Sequence, residues 1–308
     1  MAHRKTTIIQ KLGYVLETVC VVPIGTLISL MPLKLSRMFS KPAGMLAFYL
    51  DRRDRRLAYQ NLDVVFPDPP LSKSEKDRII KRLFINIAEG VFQFFNIGGL
   101  TPVNFERNMD VGNYRVIDRA LEEKKGVLAF TAHLGNWEYF GRGAVKLGYD
   151  VATVIKRQHN PYTDRWFKKR REVKGGVKCV YIENAVMAKI GSHLKRNGIL
   201  AILADQAYID KPVYAPFFGV SVATADGPAK LHLWFGTPIV MAFCIRQPGG
   251  RYRLMFDGPY HFERTGNMRA DCEKLMTWVN GKYEDMIRRY PDQWFSLLTP
   301  RWAHRPPA

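Results

Sequence analysis

Apolar and polar positions alternate on two different periods along this chain, and the stretch Lys125–Arg157 contains both. Gly126–Thr131 is an apolar run of strand length, about Trp137–Lys146 is helical in length, and Val151–Ile155 is again rich in β-branched residues. A strand, a helix and a second strand in that order predict a βαβ unit and therefore a parallel sheet. Val177–Ile182, Ile199–Ala204, Pro238–Ile245 and Tyr252–Phe256 predict four further strands. Helices are expected at Tyr162–Val173, at Ala185–Asn197, where Gly198 stops the run, and near Arg269–Tyr290. Strands interleaved with helices predict an α/β fold, a single layered domain with a mainly parallel central sheet flanked by helices.

The amino-terminal part has another pattern. Leu12–Met31 is mostly apolar, with Arg4, Lys5 and Lys11 before it and Lys34, Arg37 and Lys41 after it. Twenty helical residues reach about 30 Å, roughly one hydrocarbon thickness. Glu17, Pro23 and several hydroxyl residues interrupt the run, and no small-residue cleavage pattern comes after it. A buried core helix is one reading; the basic flanks favour membrane contact, and Arg52, Arg53, Arg55 and Arg56 favour a cytoplasmic position for the rest of the chain. Residues 1–45 are therefore expected to be an N-terminal hydrophobic, membrane-associating segment, and residues 46–308 the catalytic domain. Leu46–Asn61 is expected as one helix with Arg clustered on one face, either a solvated face or a contact for phospholipid headgroups. After the proline-rich turn Phe66–Ser74, a helix from Ser74 to about Asn96 ends in Phe92, Phe94 and Phe95, which are either core or the wall of an acyl-chain groove.

Composition narrows the partners. The 308 residues are 47% apolar, as a folded globular protein requires, while 47 Lys and Arg against 28 Asp and Glu give a formal charge of +19. Such a field attracts polyanions: nucleic acid, an anionic membrane surface, or acidic partners and substrates. A nucleic-acid binder needs basic residues interleaved with stacking aromatics or a known reading module, and neither is evident. A non-enzymatic basic membrane-surface protein remains as a reading of another class. Cys20, Cys179, Cys244 and Cys272 are scattered without a C-x-x-C pair, and are expected as reduced core residues of a cytosol-facing protein rather than a disulfide framework or zinc site. There is no G-x-S-x-G elbow, no phosphate loop and no H-E-x-x-H, so the reaction is expected to need no cofactor and no metal.

Candidate chemistry gathers after the first strand of the βαβ unit. In open α/β sheets ligands collect at the carboxyl ends of strands, and there His133 is followed five residues later by Glu138. An imidazole beside a carboxylate can take the proton of a hydroxyl and make it a nucleophile, while the carboxylate fixes the tautomer. Gly135 permits the bend between them, and free N–H groups at the helix start suit a developing oxyanion or a phosphate. His159 and Asp164 repeat the same spacing, although Pro161 interrupts them and their surroundings are strongly polar.

HLGNWE (His133–Glu138) with the strand before it resembles the catalytic box of the bacterial lipid A biosynthesis acyltransferases, the lauroyl/myristoyl acyltransferase family within the lysophospholipid acyltransferase superfamily. RRLAYQNLDVVFP (Arg55–Pro67), KRQHNP (Lys156–Pro161), ADQ (Ala204–Gln206), APFFGVSVATADGPAKL (Ala215–Leu231) and YPDQWFSLLTPRW (Tyr290–Trp302) resemble further elements of that family in the same order. The resemblance implies transfer of a fatty acyl chain from acyl carrier protein or acyl-CoA to a hydroxyl of a lipid A precursor or related glycolipid. A lysophospholipid or another glycolipid is the alternative acceptor. It implies a site at the bacterial inner membrane, with the catalytic domain on the cytoplasmic face. His133 would be the general base and Glu138 its supporting carboxylate; Asn136, Arg157, Arg171, Asp205 and Gln206 would bind substrate. Asp205 is either a second carboxylate on the imidazole, bridged by Arg171, or a turn cap. Ala207-Tyr208 departs from the acidic or histidine residues common in the family after the Asp-Gln pair. Lys168–Arg171, with Lys174 and Lys178, is expected either as a docking patch for an acidic carrier or for CoA, or, for any one Lys, as a solvated helix face.

Overall fold

Seven strands make one sheet in a computed structural model of the chain, which describes residues 7–99, 102–183 and 185–304. Arg4 and Lys5, two of the expected basic flanking residues, lie outside the described residues. Across the sheet the order is β1 (Met109–Val111), β9 (Tyr252–Tyr260), β8 (Ile239–Arg246), β2 (Val127–Thr131), β5 (Ile199–Leu203), β3 (Val151–Ile155) and β4 (Lys178–Tyr181). Every pairing is parallel except β8 with β9.

The central strands are apolar at nearly every position because both faces are covered. On one face Val127, Ala129, Ile199 and Ala201 pack under α6 (Arg115–Glu122) and α7 (Trp137–Lys146) through Ile117, Phe140 and Ala144. On the other, Leu128, Phe130, Leu200 and Ile202 join a larger core. That core draws on α3 (Arg52–Val65), α4 (Lys73–Phe95), α9 (Val186–Lys195), α10 (Gly227–Phe235) and α11 (Met268–Arg289). α5 (Pro102–Asn108) leads into β1, and α8 (Pro161–Glu172) joins β3 to β4.

Three features depart from the pattern reading. The expected single helix over Leu46–Asn61 is two: α2 (Leu33–Leu50) ends, and Asp51 caps α3 by accepting the N–H of Asp54 at 3.0 Å. Val213–Phe217 (β6) and Val220–Thr224 (β7) form a separate antiparallel hairpin, turning at Phe218 and Gly219, both at positive φ. The pattern predicts none of the short elements α5, β1, α6 and α10.

α1 (Ile8–Leu30) is the one helix among the described residues long and apolar enough to cross a membrane. Most of its apolar side chains are exposed, including Leu12, Leu16, Val19, Leu27 and Leu30, so the core-helix reading fails. Its other side is fastened to the domain. Asn160 donates to the Tyr14 carbonyl at 3.0 Å, Thr163 donates to Glu17 at 3.0 Å, and Gly25 lies so close to Trp166 that no Cβ fits. Glu17 thus interrupts the apolar run because it faces α8. Cys20 on the same helix is exposed; of the four cysteines expected in the core only Cys244 and Cys272 are buried there.

Between β2 and α7, Gly135 sits at φ +67 and donates its N–H to the Gln293 carbonyl at 2.9 Å. A Cβ there would run into the Cys244 carbonyl. Gly148 has φ +94 but open space around it. Gly135→Ala is therefore expected to cost about 2 to 5 kcal/mol in urea denaturation, backbone strain plus overpacking, against strain alone for Gly148→Ala. Equal losses for the two would show that the close approach to Cys244 is not a constraint.

Candidate active site

The site grows out of strand register. β2 and β5 are parallel, with Thr131 opposite Leu203, so the residues two beyond each, His133 and Asp205, leave the sheet side by side. Oδ1 of Asp205 accepts the backbone N–H of His133 at 3.0 Å and lies 2.8 Å from its Nδ1. Oδ2 accepts from Trp294 Nε1 at 2.9 Å and from Ser296 Oγ at 2.8 Å. Burial by itself would raise this carboxyl; the positive charge of a protonated His133, with the hydrogen bonds from His133 and Trp294, outweighs it and brings the pKa down to about 2. A carboxylate only accepts, so Nδ1 carries the ring proton and Nε2 is left as the free nitrogen. The ring is 22% exposed, with Trp137 at 5.0 Å and Phe295 at 6.2 Å between centroids.

Glu138 lies in the first turn of α7, and its carboxylate is held by Arg171 of α8: Nε at 3.0 and 3.1 Å, Nη2 at 2.6 Å. Burial weakens the Arg171 charge, Glu138 more than restores it, and the guanidinium pKa is raised. Phe94 lies beneath that guanidinium at 5.2 Å. The expected bridge from Arg171 to Asp205 is not formed. Arg171 serves Glu138, and the carboxylate on Nδ1 of His133 is Asp205.

Two cavities open at this point. One, of about 500 Å³, is the more polar of the two, with His133, Lys156, Gln206 and Tyr208 set among otherwise largely apolar walls. The other, of about 310 Å³, is apolar, walled by Ile87, Val91, Phe94, Phe95, Phe167 and Phe295. Trp137, Glu138, Gln158 and Arg171 line both, so the ion pair stands where they meet.

The remaining expected residues divide. Gln206 lines the polar cavity. Asn136 borders the apolar one, but its carboxamide is committed: Oδ1 caps α7 by accepting the Tyr139 N–H at 2.9 Å, and Nδ2 donates to Gln93 at 2.6 Å. Arg157 lines neither; it donates to Glu183 at 3.1 and 3.2 Å and stacks on Tyr181, while Lys156 and Gln158 on either side of it face inward. The second His–Asp pair is taken apart. His159 is exposed and pairs with Glu17 at 3.3 Å, whereas Asp164 accepts from the Gln158 N–H and the Tyr181 hydroxyl. Much of the expected docking patch is already neutralised, by Lys168–Glu172, Arg171–Glu138 and Lys178–Asp150.

Trp294 and Ser296 escape the sequence reading of the site, although the closing motif that contains them carries part of the family resemblance. So does Thr131, whose buried hydroxyl lines the polar cavity with no partner among the described residues. Among the described residues no group of three or more His, Cys, Asp or Glu side chains has the arrangement of a metal site.

Residues 3–304 match the family described as bacterial lipid A biosynthesis acyltransferase. A phosphatidylinositol mannoside acyltransferase of Mycolicibacterium smegmatis is 22% identical over 245 residues, covering 79% of this chain and 78% of the relative.

A carboxyl lowered from 3.8 to about 2 stabilises the fold above its ordinary pKa, and that contribution is lost as the pH falls through about 2. Asp205→Asn is expected to lose about 2 kcal/mol at neutral pH and to flatten the acid limb of stability between about pH 4 and 2. Urea denaturation at stepped pH measures both. Parallel acid limbs for the two proteins would contradict an ionised Asp205.

Proposed function

The chain belongs to the bacterial lipid A biosynthesis acyltransferase family, and we propose that it moves a fatty acyl chain from a thioester to a hydroxyl of a glycolipid, with His133 as general base. One observation carries this reading: Asp205 occupies Nδ1 of His133 and leaves Nε2 free in a ring that reaches the polar cavity.

The acceptor hydroxyl enters that cavity and gives its proton to Nε2 as its oxygen attacks the thioester carbonyl. Asp205 stabilises the imidazolium that forms. The N–H groups of Trp137 and Glu138 at the start of α7 have no partner among the described residues and suit the oxyanion of the tetrahedral intermediate. Collapse breaks the carbon–sulfur bond; the thiolate takes the proton back from His133, and an ester remains. No cofactor beyond the thioester is needed. Glu138 acts with Arg171, which fixes its carboxylate at the junction of the cavities and so aligns the groups that meet there.

The apolar cavity, with Phe94, Phe95 and Phe167 on its walls, suits the acyl chain, which favours the groove reading of these phenylalanines. The relative's name specifies a phosphatidylinositol mannoside, which supports a glycolipid acceptor here. Lys156, Arg171 and Gln206 suit a hydroxyl-rich or phosphorylated head group. A lipid A precursor is the acceptor this family description favours, with another glycolipid or a lysophospholipid as the alternative. The donor is acyl carrier protein or acyl-CoA. In this reading α1 holds the protein at the bacterial inner membrane, the domain over residues 46–308 works on the cytoplasmic face, and the +19 charge meets anionic lipid rather than nucleic acid.

His133→Ala is expected to lower acyl transfer at least about a thousandfold while the fold persists, and His159→Ala is expected to leave it unchanged. Normal turnover in the first with loss in the second would sink the assignment. Lipids from a deletion strain, read by mass spectrometry, should contain a species lacking one acyl chain. Gly90 lines the apolar cavity with nothing within 4 Å of a Cβ placed on it. Gly90→Leu should therefore shift the preferred donor to shorter chains without loss of stability; an unchanged chain-length profile would argue that the acyl chain lies elsewhere.

A further inference from the structure

α2 presents two opposite faces of different character. At about 100° per residue, Ser36, Ser40, Gly44 and Phe48 fall on one side, and all four are buried. Their small size, Phe48 aside, lets α2 approach α4 closely: a Cβ on Gly44 would lie 2.6 Å from Ile85 Cα. On the opposite side Leu35, Met38, Phe39, Leu46, Tyr49 and Leu50 share an arc of about 120°, each between 42% and 71% exposed. The α4 packing prevents this arc from turning inward.

Cations border it. Lys34 and Lys41 lie together on one flank, and Arg52 and Arg56 come at the start of α3; all four are exposed and form no ion pair among the described residues. An apolar arc flanked by unpaired lysines and arginines matches the two layers of an anionic bilayer surface, acyl carbons below and phosphates above. A second copy of this chain fits poorly, since it would bring these same cations against themselves in a protein of formal charge +19. With Lys34 and Lys41 along its length, α2 is not among the helices apolar enough to cross a membrane.

We propose that α2 lies in the plane of an anionic lipid surface as a second membrane contact, distinct from α1. This rests on exposure and charge and is independent of the acyl-transfer reading. It also has a mechanical consequence. α4, which supplies Ile87, Val91 and Phe94 to the apolar cavity, is packed directly on α2 and is thereby held at a fixed depth beside the lipid.

The test uses the full chain with Cys20→Ser and Cys179→Ser, carrying one nitroxide in turn at the positions from 34 to 50 other than Ser36, Ser40, Gly44 and Phe48, which pack inward. Vesicles of phosphatidylethanolamine with phosphatidylglycerol are compared with vesicles of phosphatidylcholine. On the anionic vesicles, oxygen access should rise and access of a water-soluble nickel chelate should fall with a helical period, peaking at Leu35, Phe39, Leu46 and Leu50. Replacing Lys34, Lys41, Arg52 and Arg56 by Gln should lower partitioning at least tenfold with the thermal transition unchanged. Chelate access that stays uniform on vesicles would overturn the proposal. So would shielding that grows with protein concentration in the absence of lipid, which would assign the arc to a second copy.

Discussion

A carboxylate with no exposed surface joins three parts of the chain that are distant in sequence. Asp205 stands at the end of β5, His133 at the end of β2, and Trp294 and Ser296 in the closing segment. Burying a charge of this kind costs several kcal/mol unless it is compensated. Here each oxygen has two donors, and without them Asp205 would be neutral and the His133 tautomer undetermined. The closing segment is held to the sheet from the other side as well, since Phe295 donates its N–H to the His133 carbonyl at 2.8 Å. The geometry of the imidazole is therefore a property of tertiary packing, not of the loop that carries it.

Around this centre the polar and apolar requirements are separated in space. The polar cavity and the apolar cavity share only a short boundary, and a paired Glu138 and Arg171 occupy it. Neither charge is left bare beside the phenylalanines, because each neutralises the other across a bidentate contact. The helix that carries Glu138 is fixed from behind by buried polar links. Asn136 donates to Gln93, Gln93 to Glu89, and Arg246 to the same Glu89. These bonds tie the start of α7 to α4 and β8, so the boundary between the cavities is built on three elements at once.

How much of this could be read from sequence depends on whether the relevant contact is local. The βαβ pattern, the position of His133 and the first-turn position of Glu138 all come from residues close to one another in the chain. The partner of Nδ1 does not. That Asp205 rather than Glu138 fills it depends on β5 lying between β2 and β3, and strand order is invisible to periodicity. Trp294 and Ser296 are farther still, about ninety residues from the carboxylate they bind. Arg157 failed for a finer reason: extended backbone sends neighbours to opposite sides, and its neighbours Lys156 and Gln158 have the inward positions. The break between α2 and α3 was legible in principle, since Asp51 three residues before Asp54 is an ordinary helix cap.

The two His–Asp/Glu pairs make the same point from the other direction. His133 with Glu138 and His159 with Asp164 have identical spacing, yet only the first pair lines the two cavities described above. His133 comes after a strand at the centre of the sheet, where the parallel neighbour ends level with it and supplies a buried acid. His159 comes after β3, beside the edge strand, where the next layer is α1, and it meets the partly exposed Glu17. Asp164 instead accepts the Gln158 N–H and the Tyr181 hydroxyl, which stiffens the very loop that turns Gln158 toward the cavities. The repeated spacing is thus one motif in two electrostatic settings, and the setting, fixed by the position of each strand in the sheet, decides which imidazole has a nitrogen free for chemistry.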